Sequence, residues 1–319
     1  MELPFETYDV FTETPYRGNP LAIVTIPASL PAPPTQAQKQ AIAREFNLSE
    51  TIFIHEPAAG DTGSSATSRT ADIFVVSAEI PFAGHPTIGA AVSLLSGGSG
   101  IDTIITKAGP IPVASTGPNA ARAVIPHNVH LHAKRLRDLP SAAQLEGLSL
   151  VPSVRAAELD APIYSIVRGM SFVLIELPSL EALAQAATST WTGPVEDLLD
   201  AGWQTGLCCR FYYVRTGTRE PAGGAGADSV EVVTLRTRML DVVCAEDPAT
   251  GSASSALCCY LSAARGEQKV PRRRYELTQG VEMGRESNIV VDVTMKENAI
   301  DEVHLSGKAV KVMKGTLII

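Results

Sequence analysis

Pro81-Phe82-Ala83-Gly84-His85-Pro86-Thr87-Ile88-Gly89-Ala90-Ala91 and Glu246-Asp247-Pro248-Ala249-Thr250-Gly251-Ser252-Ala253 are the two stretches on which the reading of this chain turns. Each places glycine, proline and a small polar or titratable residue just ahead of an apolar helical run. Such a start leaves the first backbone N–H groups of the helix without intrahelical partners, at the positive end of the helix dipole. Helix ends of this kind bind anions. Two of them, about one domain length apart, point to a chain folded twice around a shared site that grips a carboxylate and moves a proton.

Outward from the first stretch the pattern is strand-rich. Strands are expected at Phe5 to Phe11, Leu21 to Ile26, Thr51 to Ile54, Ile73 to Val76, Ile101 to Lys107 and Ala121 to Ile125, from alternation and β-branched runs. A loop from Pro31 leads into a helix over Ala37 to Phe46, and Pro57 to Ser68 reads as a loop or hairpin tip. The helix Thr87 to Leu95 is apolar on nearly every face, so it belongs inside the sheet.

The second half repeats the order. Strands are expected at Ile163 to Ile175 and Phe211 to Arg215, around a helix Ser179 to Ala187, and then at Val230 to Arg238. Helix Ser254 to Ala264, stopping at Gly266, is the second apolar helix. Tyr275 to Gln279, Ile289 to Val293 and Val303 to Leu305 follow as strands, and Ala309 to Ile319 as a closing hairpin. The expected class is α+β, each half a sheet wrapped around one central helix. The expected halves are 1–125, with the tail 309–319 returning to it, and 126–308, joined through Pro126 to Arg137. Gly223-Gly224-Ala225-Gly226 lies between strands and precedes no helix, so it reads as a hairpin loop and not a phosphate cradle.

Composition narrows the function. A formal charge of −8 argues against nucleic acid and anionic membrane as partners. Arg272-Arg273-Arg274, the one dense basic cluster, reads as a solvated turn. No apolar run approaches the ~18 residues that span a bilayer, and Met1-Glu2-Leu3-Pro4 lacks a signal-peptide pattern, so a soluble, cytoplasmic protein is expected. The five cysteines, Cys208-Cys209, Cys244 and Cys258-Cys259, show no C-x-x-C spacing and read as reduced core thiols. His127, His130 and His132 suggest a metal, but with no acidic or thiol partner near them in sequence they read as strand or linker residues, and no metal is expected.

A further set of blocks carries a resemblance. Asp9-Val10-Phe11-Thr12-Glu13-Thr14-Pro15-Tyr16-Arg17-Gly18-Asn19-Pro20, Leu48-Ser49-Glu50-Thr51-Ile52-Phe53, the two helix starts, Gln279-Gly280-Val281-Glu282-Met283-Gly284-Arg285 and Ser306-Gly307-Lys308-Ala309-Val310 run in order along the chain. In this order they resemble the phenazine-biosynthesis PhzF family. The resemblance implies a diaminopimelate-epimerase-like fold of two pseudo-symmetric β-barrel-like halves, each around a central helix, with a cofactor-free isomerase site in the cleft between them. It further implies that Glu50 takes a proton from a substrate carbon and helps return it at another. His85, Asp247 and Ser252 match the family residues that hold the substrate and assist proton movement. Asn19 and the helix-start residues Gly84, Thr87, Gly251 and Ala253 are expected to contact a small carboxylate-bearing substrate, in a homodimer.

The residues support such chemistry on their own terms. Moving a proton between carbons needs a group that is basic when it attacks and acidic afterwards, and a partly desolvated carboxylate, its pKa raised toward neutrality, suits that work. Preorganised N–H groups at the two helix starts can hold the developing charge without metal or organic cofactor. Blander readings stand beside these: Glu50 as a surface carboxylate, His85 and Asp247 as helix caps, Ser252 as a cap that also serves the site. A racemase of the related two-thiol class would need cysteine where His85 and Ser252 stand, and a non-catalytic binding protein on the same scaffold is a third reading. Two departures from the family pattern bear on substrate. Phe74-Val75-Val76 replaces the usual F-T-P, and Arg236-Thr237-Arg238-Met239-Leu240 replaces R-x-F-x-P; both are expected on strands leading into the site.

Overall fold

The computed structural model describes residues 2–57, 67–98, 100–219, 230–241, 245–263 and 271–319. Cys244, the Gly223–Gly226 loop, the helix stop at Gly266 and most of the Pro57–Ser68 loop lie outside the described residues. The chain divides into two compact units, Met1–Ile125 with Leu305–Ile319, and Pro126–His304.

The first unit contains β1 (Glu2–Val10), β2 (Asn19–Ile26), α1 (Gln36–Phe46), β3 (Thr51–His55), β4 (Ser68–Phe74), β5 (Glu79–Ile80), α2 (Gly84–Leu95), β6 (Thr103–Thr106), β7 (Gly109–Gly117) and β8 (Ala120–Val124). The second contains β9 (His130–Leu131), α3 (Pro152–Asp160), β10 (Ile163–Val167), β11 (Met170–Glu176), α4 (Leu180–Gln185), α5 (Val195–Leu198), β12 (Leu207–Arg219), β13 (Glu231–Asp241), β14 (Ala245–Asp247), α6 (Gly251–Ala263), β15 (Arg272–Gln279) and β16 (Ser287–Lys296). The last strand, β17 (Ala299–Ile318), begins in the second unit and continues through the first. The class is α+β, in two barrel-like halves each built on one central helix.

In the first unit β1 pairs with β2, β2 with β3, β3 with β4, β4 with β6, β6 with β7, β7 with β8, β8 with β17, and β17 with β1. The ring is closed: eight strands with no free edge. Closure depends on the C-terminal strand, whose Ala309–Ile318 register runs antiparallel along the whole of β1, from Val10 to Glu2. Helix α2 packs on β1, β2, β3, β7 and β8, and every residue from Gly84 to Val92 is buried. In the second unit β9, β10, β11, β12, β13, β15 and β16 pair in succession, with β14 added on β13. Helix α6 packs on β10, β11, β15 and β16. Both helices follow from their sequences: with no polar face, each satisfies its side chains only when enclosed.

Several expectations change. Helix α2 begins at Gly84, three residues before the first β-branched position, because Pro86 fits the first turn where its missing N–H costs nothing. Strand β4 ends at Phe74; Val75 and Val76 lie in a turn where the Val75 N–H donates to the Ala78 carbonyl (2.9 Å). Their carbonyls accept from the Gln40 and Arg44 side chains of α1, so this departure from the family pattern sits against α1. The expected strand Val303–Leu305 and hairpin Ala309–Ile319 are replaced by one 20-residue strand, Ala299–Ile318. Arg272–Arg274 is no turn: it opens β15, with Arg273 buried against Glu231 (2.6 Å) and Arg274 held bidentately by Asp292 (2.8 and 2.9 Å). Strand β7 escapes sequence reading because Pro110 and Pro112 interrupt it. Both prolines lie where β7 pairs with β6 but not yet with β8, so one side of the strand needs no donor.

Packing around α2 is close enough to test. A Cβ added at Gly89 would lie 2.4 Å from Leu21 Cδ2 and 2.8 Å from Val10 Cγ2. Gly89→Ala should therefore destabilise the protein by about 1–3 kcal/mol in urea denaturation, against the gain expected for alanine in an open helix. An unchanged or raised midpoint contradicts this packing.

Candidate active site

Glu50 closes the connection from α1 into β3, and His85 is the second residue of α2. The barrel brings them together across 35 residues: His85 Nδ1 lies 3.1 Å from Glu50 Oε2. The His85 side chain is buried and Glu50 is 18 % exposed. His85 Nε2 is also buried and meets no hydrogen-bond partner among the described residues. Helix α2 has alanine at its N-cap, Ala83, with no side-chain cap, so the amides of Gly84 and His85 are buried at an uncapped helix start. His85 is therefore not a cap; its ring faces the carboxylate. Thr87 differs from its neighbours: its hydroxyl donates to the Ala83 carbonyl (2.7 Å) and its N–H bonds the same oxygen (3.4 Å), so both polar groups serve the helix. The Ser49 hydroxyl reaches Asn19 Oδ1 at 3.2 Å, placing buried Asn19 beside the loop that carries Glu50.

Burial pushes the Glu50 carboxyl up, but the hydrogen bond and charge of His85 and the Ser49 hydroxyl outweigh it, and the group lies below the usual carboxylate range. This corrects the expectation of a carboxyl raised toward neutrality. Desolvation is present, but a donor stands directly against the charged form.

In the second unit Asp247 ends β14 and Thr250 stands immediately before α6, where its carbonyl accepts the Ser254 N–H (3.0 Å). Thr250, and not Asp247 or Ser252, thus holds the N-cap position. The Thr250 hydroxyl donates to Asp247 Oδ2 at 2.6 Å. Gln279, fully buried at the end of β15, accepts the Thr250 N–H (3.2 Å) and donates to the Asp247 carbonyl (2.8 Å) and to Thr250 Oγ1 (3.1 Å). Gly251 and Ala253 are buried in the first turn of α6 and Ser252 is half-buried beside them. Thr250 and the side-chain role of Gln279 escaped the sequence reading, although both lie inside the quoted blocks. Arg238, at the position of the altered family phenylalanine, grips Glu246 bidentately (2.8 Å twice) and donates to the carbonyls of Leu183 and Ala186 at the end of α4.

Other reactive side chains are engaged elsewhere. His130, His132 and Asp200 bring ligand atoms within 4.8 Å of one another, so the histidines do have an acidic partner, contributed by a residue 68 positions on. The hydrogen bonds there are structural. The Asp200 backbone N–H donates to His132 Nδ1 (3.1 Å), so the ring carries its proton on Nε2 and donates to Ser165 Oγ (2.8 Å). Burial and neighbouring His130 hold the His132 pKa down, to about 4, and Trp203 stacks on His130. With its Nδ1 lone pair already accepting, His132 is not an open ligand. Cys258 and Cys259 lie two turns inside α6, buried, with burial pushing both thiols up; Cys208 is pushed up to about 12 for the same reason.

Residues 8–315 match the phenazine biosynthesis-like protein family. The chain belongs to this family, PhzF. It is 31% identical over 327 residues to an uncharacterized isomerase of Mesorhizobium japonicum, covering 98% of this chain and 97% of that protein. To the trans-2,3-dihydro-3-hydroxyanthranilate isomerase of Pseudomonas fluorescens it is 29% identical over 318 residues, covering 98% of each. Among solved structures, a PhzF-family protein of Bacillus anthracis superposes over 100% of both chains with a TM-score of 0.71 at 19% identity. A probable proline racemase of Agrobacterium radiobacter has the same fold, at a TM-score of 0.58 and 13% identity over 99% of this chain and 92% of that one. The protein is a PhzF-like isomerase. Among the described residues no helix is long and apolar enough to cross a membrane.

The lowered Glu50 pKa has a measurable consequence. A carboxylate whose folded pKa lies below its unfolded value adds stability that is present above the unfolded pKa and lost as pH falls through the folded one. The stability difference between wild type and Glu50→Gln should therefore shrink as urea denaturation is repeated from pH 7 down to pH 3. A difference independent of pH contradicts the lowered pKa of Glu50.

Proposed function

We propose that this PhzF-family isomerase moves a proton between carbon atoms of a small carboxylate-bearing substrate, with no organic cofactor or metal, and that Glu50 is the group that carries the proton. The observation that supports the reading best is the His85 side chain: one ring nitrogen grips Glu50 and the other is buried with no partner among the described residues, on a helix start that carries no side-chain cap. A buried polar atom left unpaired costs about 1–3 kcal/mol, and a bound substrate's polar group is the natural partner for it.

In this reading the Glu50 carboxylate removes a proton from a substrate carbon. The electron pair left behind delocalises toward the substrate's carboxylate or ring, and the Gly84 and His85 amides hold the added charge. Protonated Glu50 then delivers the proton to a second carbon, so that atoms and charge balance over the cycle. The His85 contact resists protonation of Glu50 and so favours its return, while substrate covering the carboxyl adds to the burial that pushes its pKa up. On the family resemblance, Asn19 in the first unit and Asp247, Ser252, Gly251 and Ala253 in the second are assigned to substrate binding. Two-thiol racemisation lacks its reagents at the helix starts, where histidine and serine stand, and the described cysteines are buried.

The test is Glu50→Gln, which keeps shape and hydrogen bonding but cannot accept a proton. Assayed with trans-2,3-dihydro-3-hydroxyanthranilate, kcat should fall by ~10²–10⁴ while the non-reacting analogue 3-hydroxyanthranilate still binds. Near wild-type kcat in the variant contradicts the proposal.

A further inference from the structure

We infer that Gln279 and Thr250 form a hydrogen-bond relay of fixed direction that holds the Asp247 carboxylate as an acceptor, which makes both of them positioning residues for the reaction proposed above, on which this inference rests. The direction follows from backbone groups that cannot change role. The Thr250 N–H can only donate and the Asp247 carbonyl can only accept, and Gln279 touches both, at 3.2 and 2.8 Å. Its amide therefore presents oxygen to Thr250 N–H and nitrogen to the Asp247 carbonyl. The flipped amide would set donor against donor and acceptor against acceptor.

The second N–H of the same amide points at Thr250 Oγ1 (3.1 Å), so the hydroxyl accepts there and has one proton left to give. It gives that proton to Asp247 Oδ2 at 2.6 Å, a short, charge-assisted contact. The remaining lone pair of Gln279 Oε1 takes the Thr237 hydroxyl at 3.5 Å, so the buried amide uses all four of its hydrogen-bonding positions.

The backbone keeps these groups in reach of one another. Gly280, next after Gln279, has φ +74°, and a Cβ there would lie 2.7 Å from the Pro248 carbonyl and 2.5 Å from that of Arg285. The end of β15 is thus pressed against the loop that carries Asp247, and only glycine permits the approach. Among the described residues the first unit shows no such device at its helix start, where Ala83 offers no side-chain cap and the carboxyl group comes from Glu50 instead. The two helix starts differ in kind: at one a histidine meets a carboxyl group, at the other a neutral amide fixes the hydrogen bonds.

The experiment uses Thr250→Val, Thr250→Ser, Gln279→Glu and Asp247→Asn in the full chain, assayed with trans-2,3-dihydro-3-hydroxyanthranilate beside Glu50→Gln. Valine keeps the shape of threonine and removes the last donor. Glutamate at 279 draws the Thr250 proton away from Asp247. Both should lower kcat by about 10–100-fold with KM changed less than about 3-fold, and serine at 250, which retains the hydroxyl, should recover most of the loss. A merely structural role for Thr250 would not distinguish serine from valine in kcat at equal melting temperature. Thr250→Val with wild-type kcat, or Thr250→Ser no better than Thr250→Val, overturns the relay. Wild-type activity in Asp247→Asn overturns it as well, and if Glu50→Gln is then inactive the isomerase reading stands without it; an active Glu50→Gln overturns the isomerase reading itself.

Discussion

A helix with no polar face has to be enclosed, and α2 and α6 are such helices. Enclosure carries the first turn of each helix inside with it, and an interior helix start leaves donors that lack intrahelical partners. In α2 the local sequence declines the usual remedy, with Ala83 at the cap and Pro86 in the first turn. In α6 one of these donors, the Thr250 N–H, is met from a distant strand by Gln279. The closed eight-stranded ring of the first unit, completed by β17 on β1 and β8, is the means by which α2 is surrounded without a free sheet edge.

Within that frame Glu50 is balanced between opposed influences. Burial favours its neutral form and His85 favours its charged form, and the hydrogen-bonded contact prevails in the free protein. The proton-carrying role proposed for Glu50 needs a modest difference between its two states, since a base too strong would not release what it takes. The Asp247 side is built differently: a neutral amide, a hydroxyl and a carboxyl group stand in a fixed hydrogen-bonding order. Precision of placement is what that arrangement supplies, and the proton transfer we propose would be sensitive to it.

Much of this was legible in the chain. The two apolar helices, their glycine-rich starts and the α+β class followed from periodicity and breaker residues, and the blocks from Asp9 to Val310 carried the family. The rest was hidden for physical reasons. Strand β7 bears two prolines, which are tolerated only because one side of the strand is unpaired there. The Arg272–Arg274 run looks solvated until Glu231 and Asp292, from neighbouring strands, are placed beside it. The Asp200 partner of the histidine cluster and the Gln279 clamp are contacts across 68 and 29 residues, and no local pattern announces them. The lowered pKa of Glu50 was likewise invisible, because burial and a donor act in opposite directions and only geometry tells which prevails.

The central claim is that Glu50 breaks the substrate C–H bond, and isotope exchange tests it without relying on net turnover. In D2O, with trans-2,3-dihydro-3-hydroxyanthranilate followed by proton NMR, wild type should convert the substrate with up to one deuteron entering carbon per turnover, while Glu50→Gln should leave the ring C–H signals of the substrate undiminished. Loss of those C–H signals in Glu50→Gln at a rate near that of wild type would contradict the account.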